Sequence, residues 1–88
     1  MILGRVTGEI VATIKHEGYR YRKLLVVERI DPAGSGTGGY IVAVDVAGAG
    51  VGERVLVIDE GNSARQILGG SDLPIRSVVV GIVDAVSL

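Results

Sequence analysis

The sequence predicts a small all-β protein, either a sandwich or a small barrel, with one short helix near its C-terminal end. Val and Ile dominate the apolar residues, and Phe and Trp are absent. β-Branched residues favour strands, where they pack on a pleated, half-buried surface. The 14 glycines cluster between the Val and Ile runs. Short apolar runs separated by glycine-rich turns are typical of a sandwich or a small barrel.

The length of 88 residues predicts one domain, 1–88, with a core of marginal size. Such small domains are usually stabilised by disulfides, a metal or oligomerisation. The chain has no Cys and one His. Disulfides and the usual structural metal sites are therefore excluded, and no cofactor is expected. Self-association is the remaining way to stabilise the fold.

Five strands are predicted from the hydrophobic pattern. In the first, residues 2–15, the even positions form one apolar face that includes Gly4 and Gly8. Glycines on such a face favour bending or a close approach of two backbones, as in a barrel. The other predicted strands are 22–30, 40–46, 53–59 and 76–86, with a polar connection at 16–21 and a flexible loop at 31–39.

Two of the later connections have distinct patterns. Residues 47–52 contain mainly Gly and Ala and predict a small-residue turn. Residues 61–70 predict a short helix, with Ser63 and Gln66 as a capping box and a Gly pair at its end. The helix is therefore expected between strands 4 and 5.

Four of the predicted strands are apolar on both faces, at residues 24–27, 41–44, 55–58 and 78–83. Antiparallel sheets usually bury one face and expose the other to water. One short helix cannot cover four outer faces, and an exposed apolar patch of that size marks an interface. Another copy of the chain is the simplest cover, and closed cyclic assembly would provide it for every copy.

Gly34 to Gly39 match the pattern G-x-G-x-x-G, and Asp59 follows about 20 residues later, as in dinucleotide-binding proteins. That pattern binds a pyrophosphate only where it opens a helix. Here residues 40–44 predict a strand, so the segment is interpreted as a flexible hairpin loop. The turn at 47–52 lacks the Lys and the hydroxyl residue of a P-loop, and we predict no phosphate site there.

Basic residues with interleaved aromatics lie between positions 15 and 23. They are Lys15, His16, Tyr19, Arg20, Tyr21, Arg22 and Lys23. On a small barrel they could bind single-stranded nucleic acid by charge and stacking, which is the leading functional alternative. The net charge of −1, the pI of about 5.7 and the presence of only three aromatics argue against it. A solvated hairpin or the rim of a subunit contact is the favoured interpretation.

An enzyme or ligand-binding domain is the third hypothesis, but the acids form no catalytic pattern. Asp45 and Asp84 lie within apolar strand sequence and are predicted to be buried and paired. Their candidate partners are Arg54, Arg65 and Arg76. Ser63 and Ser77 have no His near them in the sequence. We therefore predict a protein without catalytic residues.

Membrane insertion and secretion are not expected. The mean hydropathy is high, +0.47, but no run approaches the ~18 apolar residues that a membrane helix needs. The N-terminus lacks a charged segment followed by an apolar one, so no secretory signal is predicted.

Six segments together resemble the EutN/CcmL family, the vertex proteins of carboxysomes and metabolosomes. They are residues 3–15, 24–27, 42–45, 48–55, 61–65 and 80–84, in matching order and spacing. The resemblance covers nearly the whole chain and implies a five-stranded, OB-like barrel that assembles as a pentagonal disk. In the usual OB order the helix joins strands 3 and 4, whereas the predicted helix here joins strands 4 and 5.

The resemblance implies a structural role in a bacterial microcompartment shell in the cytoplasm. The expected partners are four further copies of the chain, in a homopentamer, and hexameric shell proteins, without nucleic acid or membrane. A flat hexagonal sheet cannot close, and five-fold units at its corners would supply the curvature.

Two segments are predicted to lie at a subunit contact or near a pore. Gly48, Ala49 and Gly50 would permit a close approach because they are small. Asn62, Ser63 and Arg65 mark the helix start, where Arg65 would pair with an acid. On this hypothesis Ala49→Asp impairs assembly more than it impairs folding of the monomer.

Overall fold

The structure, a computed structural model, describes the backbone of residues 1–14, 20–59 and 77–85. Side chains are described for the same residues except 12–14 and 20–22. Five strands lie within these residues. They are β1, Ile2–Ile14; β2, Arg20–Ile30; β3, Gly36–Asp45; β4, Arg54–Asp59; and β5, Ser77–Ile82.

The strands form a closed barrel in the order β1-β2-β3-β5-β4, with β4 returning to β1. Each neighbouring pair is antiparallel except β3 and β5, which are parallel. Closure leaves no strand edge of the sheet unpaired around the ring. The predicted all-β, five-stranded small barrel is confirmed.

The interior of the barrel is filled by small and medium apolar side chains. The core cluster consists of Val6, Leu25, Val27, Ala43, Ala49, Val55, Val57 and Val79, each at most 1% exposed. Inward and outward side chains alternate along β4, where Val55 and Val57 are buried and the residues on either side of them are not. The β-branched residues of the sequence thus pack in a narrow barrel where a Phe or Trp would not fit.

A bulge in β1 divides its predicted apolar face into two. Val6 is paired with Val27 and faces the core, but the register shifts between Val6 and Gly8. Gly8 is therefore opposite Val26, and its face of the strand points outward. The prediction of one continuous inner face along β1 is wrong, because the extra residue at the bulge reverses the alternation.

Gly4 has the close backbone contact that the sequence predicts. A Cβ at this position would clash with Cγ1 of Val27 and lie 2.9 Å from the carbonyl oxygen of Glu28. Gly8 has more room, since a Cβ there would lie 3.8 Å from the Val26 side chain. Only the first of the two glycines is required by packing inside the chain.

Several predicted strand ends differ from those observed. β3 begins at Gly36 and not at residue 40, because the glycines pair through backbone groups alone, with Gly36 opposite Ile30. β2 begins at Arg20 instead of residue 22, and β5 ends at Ile82 although a strand is predicted to residue 86. The helix predicted at 61–70 lies outside the described residues. Among the described residues, no helix has the length and apolar character needed to cross a membrane.

Candidate functional site

The predicted contact segment at Gly48, Ala49 and Gly50 lies in the connection from β3 to β4, residues 46–53, which we call the β3–β4 turn. The turn lies across one end of the barrel. The N–H of Gly52 donates to the carbonyl of Val6 at 2.8 Å, and the N–H of Val6 donates to the carbonyl of Glu53 at 2.9 Å. These two bonds join the end of the turn to the middle of β1.

Asp45, the last residue of β3, organises the first half of the turn. Its Oδ1 accepts hydrogen bonds from the backbone N–H groups of Ala47 and Gly48 at 3.0 Å and of Ala49 at 3.3 Å. The Asp45 side chain is only 2% exposed. A carboxylate that accepts from the backbone just after it is the usual basis of an Asx turn.

Lys23 of β2 completes this polar group. Its Nζ donates to the carbonyl of Ala49 at 2.7 Å and lies 3.2 Å from Oδ2 of Asp45. Oε1 of Glu9 is 3.4 Å from the same nitrogen. Lys23 lies on the same face of β2 as the buried Leu25, so the ammonium group lies at the end of the apolar interior.

The contacts shift the pKa values of both partners in opposite directions. Burial alone would raise the pKa of Asp45, but the N–H groups of Ala47 and Ala49 and the ammonium group of Lys23 outweigh it. The pKa of Asp45 is therefore below its ordinary value of 3.8. The hydrogen bond to Asp45, assisted by Glu9, raises the pKa of Lys23 above its ordinary value of 10.5. Both groups are charged at neutral pH and form a stable pair.

A second carboxylate fixes the other half of the turn. Oε1 of Glu53 accepts the backbone N–H of Gly50 at 2.7 Å, while the N–H of Glu53 donates to the carbonyl of Gly50 at 3.1 Å. Gly48 and Gly52 have φ angles of 76° and 92°. This region favours glycine, since a Cβ is strained there. The glycines of the turn thus serve its backbone conformation.

The three predicted contact residues of the turn have different surroundings. Gly48 is exposed, and no atom lies within 4 Å of the position that a Cβ would take. Gly50 is half-buried. Ala49 is 0% exposed and belongs to the core of its own chain. Its methyl group is inside the monomer, so Ala49→Asp would disturb the fold itself, contrary to the effect expected from the sequence.

The other predicted contact residues, Asn62, Ser63 and Arg65, lie outside the described residues, as does Arg76. Of the two acids predicted to be paired, Asp45 is buried, but its partner is Lys23 and not an arginine. Asp84 is exposed, so its predicted burial is wrong. Lys23 and Glu53 were missed as organisers of the turn. The spacing Gly50-x-x-Glu53 is the signal that could have indicated the second of these contacts.

The glycine-rich segment that resembles a dinucleotide motif is divided between a tight turn and strand β3. The N–H of Gly34 donates to the carbonyl of Asp31 at 2.9 Å, and Oδ1 of Asp31 accepts the N–H of Ser35 at 2.9 Å. The loop predicted at 31–39 is therefore confined to residues 31–35, because residues 36–39 belong to β3. The segment continues into β3 and opens no helix, which is the feature that a pyrophosphate site of this type requires.

Ser77 provides no evidence of nucleophilic chemistry. It is 4% exposed, and its hydroxyl donates to Oδ1 of Asp59 at 2.5 Å. Among the described residues there is no group of three or more His, Cys, Asp or Glu side chains that could hold a metal ion. The hydrogen bond between Ser77 and Asp59 joins β5 to β4 at a point where the two strands are paired.

Comparison with known proteins identifies the family of this barrel. The family model described as "Ethanolamine utilisation protein EutN/carboxysome" matches residues 1–84. The chain belongs to the EutN/CcmL family. The shell vertex protein EutN of Escherichia coli K12 is 49% identical over 86 residues, which cover 98% of this chain and 90% of that protein.

Two further comparisons extend the EutN/CcmL relationship. The carboxysome shell vertex protein CcmL of Gloeobacter violaceus is 41% identical over 88 residues, covering 100% of this chain and 87% of the relative. The structure of GrpN, a pentameric microcompartment shell protein from Rhodospirillum rubrum, superposes with a TM-score of 0.81 at 44% identity. It matches over 100% of both chains.

Membership of the EutN/CcmL family bears on the functional alternatives. The names of these relatives describe structural components of a shell, which agrees with the prediction of a non-catalytic protein. The relationship does not support nucleic-acid binding. Within the predicted basic segment, the ammonium group of Lys23 is already bound to Asp45 and Ala49.

Proposed function

We propose that this protein is a structural subunit of a bacterial microcompartment shell and that five copies form a ring at each vertex of the shell. The full-length match to a pentameric shell protein, at 44% identity and a TM-score of 0.81, is the observation that supports this proposal most strongly. Relatives of both carboxysome and ethanolamine-utilisation type are named shell vertex proteins.

The mechanism is geometric and needs no reaction. Subunits with six-fold symmetry tile a flat layer, and a flat layer cannot close on itself. A five-fold ring at a corner removes one sixth of the local lattice and forces curvature. The partners of this ring are the hexameric shell proteins around each vertex, and its location is the shell in the cytoplasm.

Co-production with hexameric shell proteins of the same organism tests this function. Electron microscopy should show closed polyhedral particles when this chain is present, and open sheets, tubes or leaking particles when it is omitted. The chain should also be found in the purified particles. Equally closed particles without the chain, or particles that never contain it, would contradict the proposal.

We also propose that the β3–β4 turn lies at a subunit contact through Gly48 and Gly50. Gly48→Asn and Gly48→Asp introduce a side chain of nearly the same size at the same strained φ. Only the second variant adds a charge, so a loss of pentamer specific to Gly48→Asp would support the contact. Intact pentamers in both variants would remove Gly48 from the interface. The contact predicted for Asn62, Ser63 and Arg65 stays a prediction.

A further inference from the structure

The outer surface of β2 and β3, with one residue of β1, forms a continuous apolar face. We call it the outer apolar face. Its members are Ile10, Leu24, Val26, Tyr40 and Val42. In the strand register Ile10 is opposite Leu24, and Val26 is opposite Val42. Opposite residues point to the same side of a sheet, so these side chains are neighbours on the outside of the barrel.

The chain itself leaves much of this face in water. Ile10 is 45% exposed, Val42 52% and Tyr40 63%, while Leu24 and Val26 are half-buried. The inward side chains of the same strands, such as Leu25 and Ala43, are 0% exposed. β2 and β3 are therefore apolar on both sides, and on the outer side the chain buries Val44 but leaves Val42 and Tyr40 in water.

We infer that the outer apolar face is buried against a neighbouring copy of this chain and that Val42 lies in that subunit contact. The inference rests on the proposed pentameric assembly and identifies the surface that would form it. Two features of the face support a second copy as the occupant: its lack of charge and the presence of a second apolar surface across the barrel.

None of the five side chains in the outer apolar face carries a charge, and the Tyr40 hydroxyl is the single polar group among them. That hydroxyl contacts Oε2 of Glu28 at 3.5 Å at the edge of the face. Identical copies carry identical charges, so an uncharged contact surface avoids repulsion between them. An apolar centre that includes an aromatic side chain with a polar tip is typical of stable protein interfaces.

A ring is built from a heterologous contact, in which one surface of each copy packs on a different surface of the next. The chain has a second surface of suitable character. Leu3 of β1 is opposite Leu56 of β4, and both are half-buried on the outer side of the barrel. In the ring order, β4 lies across the barrel from the β2 and β3 pair. Each copy can therefore offer two separate apolar surfaces to its two neighbours.

The decisive variant is Val42→Lys. In the monomer this position is half in water, so the new ammonium group can stay hydrated. In the ring it would be buried in every one of the contacts at once, because all copies carry the change. We expect the subunit concentration at half dissociation to rise by about 30-fold or more, the change associated with loss of an interface hot spot.

Thr37→Lys is the matched control. Thr37 lies on the same strand and is exposed, but side chains alternate along a strand, so Thr37 is on the opposite side of β3 from Val42. The added charge is the same in both variants. Native mass spectrometry over a dilution series should show wild-type and Thr37→Lys pentamers at concentrations where Val42→Lys is monomeric. Circular dichroism should show the same strand content in all three proteins.

Val42→Thr keeps the branched shape and replaces one methyl group by a hydroxyl, so it tests the inference even if Val42→Lys does not fold. It should weaken the ring several-fold and leave the monomer folded. Pentamers of undiminished stability in both Val42 variants would overturn this inference and leave the proposed function standing. A wild-type protein that is not pentameric would overturn the proposed function itself.

Discussion

Replacement of Asp45 by Ala should destabilise the protein more than replacement of an exposed acid, because this carboxylate accepts three backbone hydrogen bonds within the β3–β4 turn. The substitution removes the acceptor of three backbone N–H groups, two of them partly buried at Ala47 and Ala49. A buried N–H without an acceptor costs about 1–3 kcal/mol. With the exposed Gly48 N–H free to bind water, we expect a loss of about 3 kcal/mol in the free energy of unfolding.

Two comparison variants separate the causes of that loss. Asp45→Asn keeps an oxygen that can accept the N–H groups but lacks the charge, so it should lose only about 1 kcal/mol. Asp31→Ala removes a carboxylate that accepts a single N–H, from Ser35, in an exposed hydrogen bond, and should also cost about 1 kcal/mol or less.

The assay is urea unfolding followed by circular dichroism, at one subunit concentration for all variants because dissociation of an oligomer is coupled to unfolding. The expected order of stability is wild type, then Asp45→Asn and Asp31→Ala together, then Asp45→Ala. Equal losses for Asp45→Ala and Asp31→Ala would refute the role assigned to the Asp45 carboxylate in the turn.

Two further predictions concern packing and pH. Gly4→Ala should lower the free energy of unfolding by about 1–3 kcal/mol, because the new Cβ would clash with Val27. Gly8→Ala should change the free energy of unfolding by less than about 1 kcal/mol. Similar thermal midpoints for the two variants would contradict the packing described. Asp45, whose pKa is lowered, contributes stability at pH values above its ordinary pKa of 3.8, and this contribution is lost as the pH falls through the pKa in the folded state. Lys23, whose pKa is raised, contributes stability at pH values below its ordinary pKa of 10.5, and this contribution is lost as the pH rises through the pKa in the folded state. The thermal midpoint of Asp45→Asn should therefore lie below that of the wild type at pH 7 and approach it as the pH is lowered below 3.8; a gap between the two proteins that stays constant as the pH falls would argue against the pair.

The strands could be predicted because their pattern is local. Alternation of Val and Ile is visible in the sequence, and each of the five predicted strands is present. The start of β3 could not be found this way, since three of the four residues 36–39 are glycines and have no side chains to show a period. They pair with β2 through their backbone groups, which the sequence pattern does not record.

The polar contacts of the candidate site depend on register and not on spacing. Asp45 is 22 residues from Lys23, and the two meet because β2 and β3 are paired with Leu24 opposite Val44. An arginine partner was predicted for Asp45, since nothing in the spacing of the residues indicates that Lys23 lies beside it. The bulge after Val6 reverses the faces of β1, and Gly8 beside it indicated bending but not a shift of register.

Ala49 shows the limit of an argument from residue size. A run of small residues indicated a close approach, and the structure shows that one such approach is to the chain's own core. The need for self-association followed from the size of the domain and the apolar outer strands. The proposed number of copies comes from the family and its pentameric members.

The mass of the wild-type assembly tests the central claim most directly. Native mass spectrometry of the purified protein at micromolar concentration should give five chains of 9.1 kDa, which is about 45.5 kDa. A monomer of 9.1 kDa, or a ring of six chains, would contradict a vertex role based on five-fold symmetry.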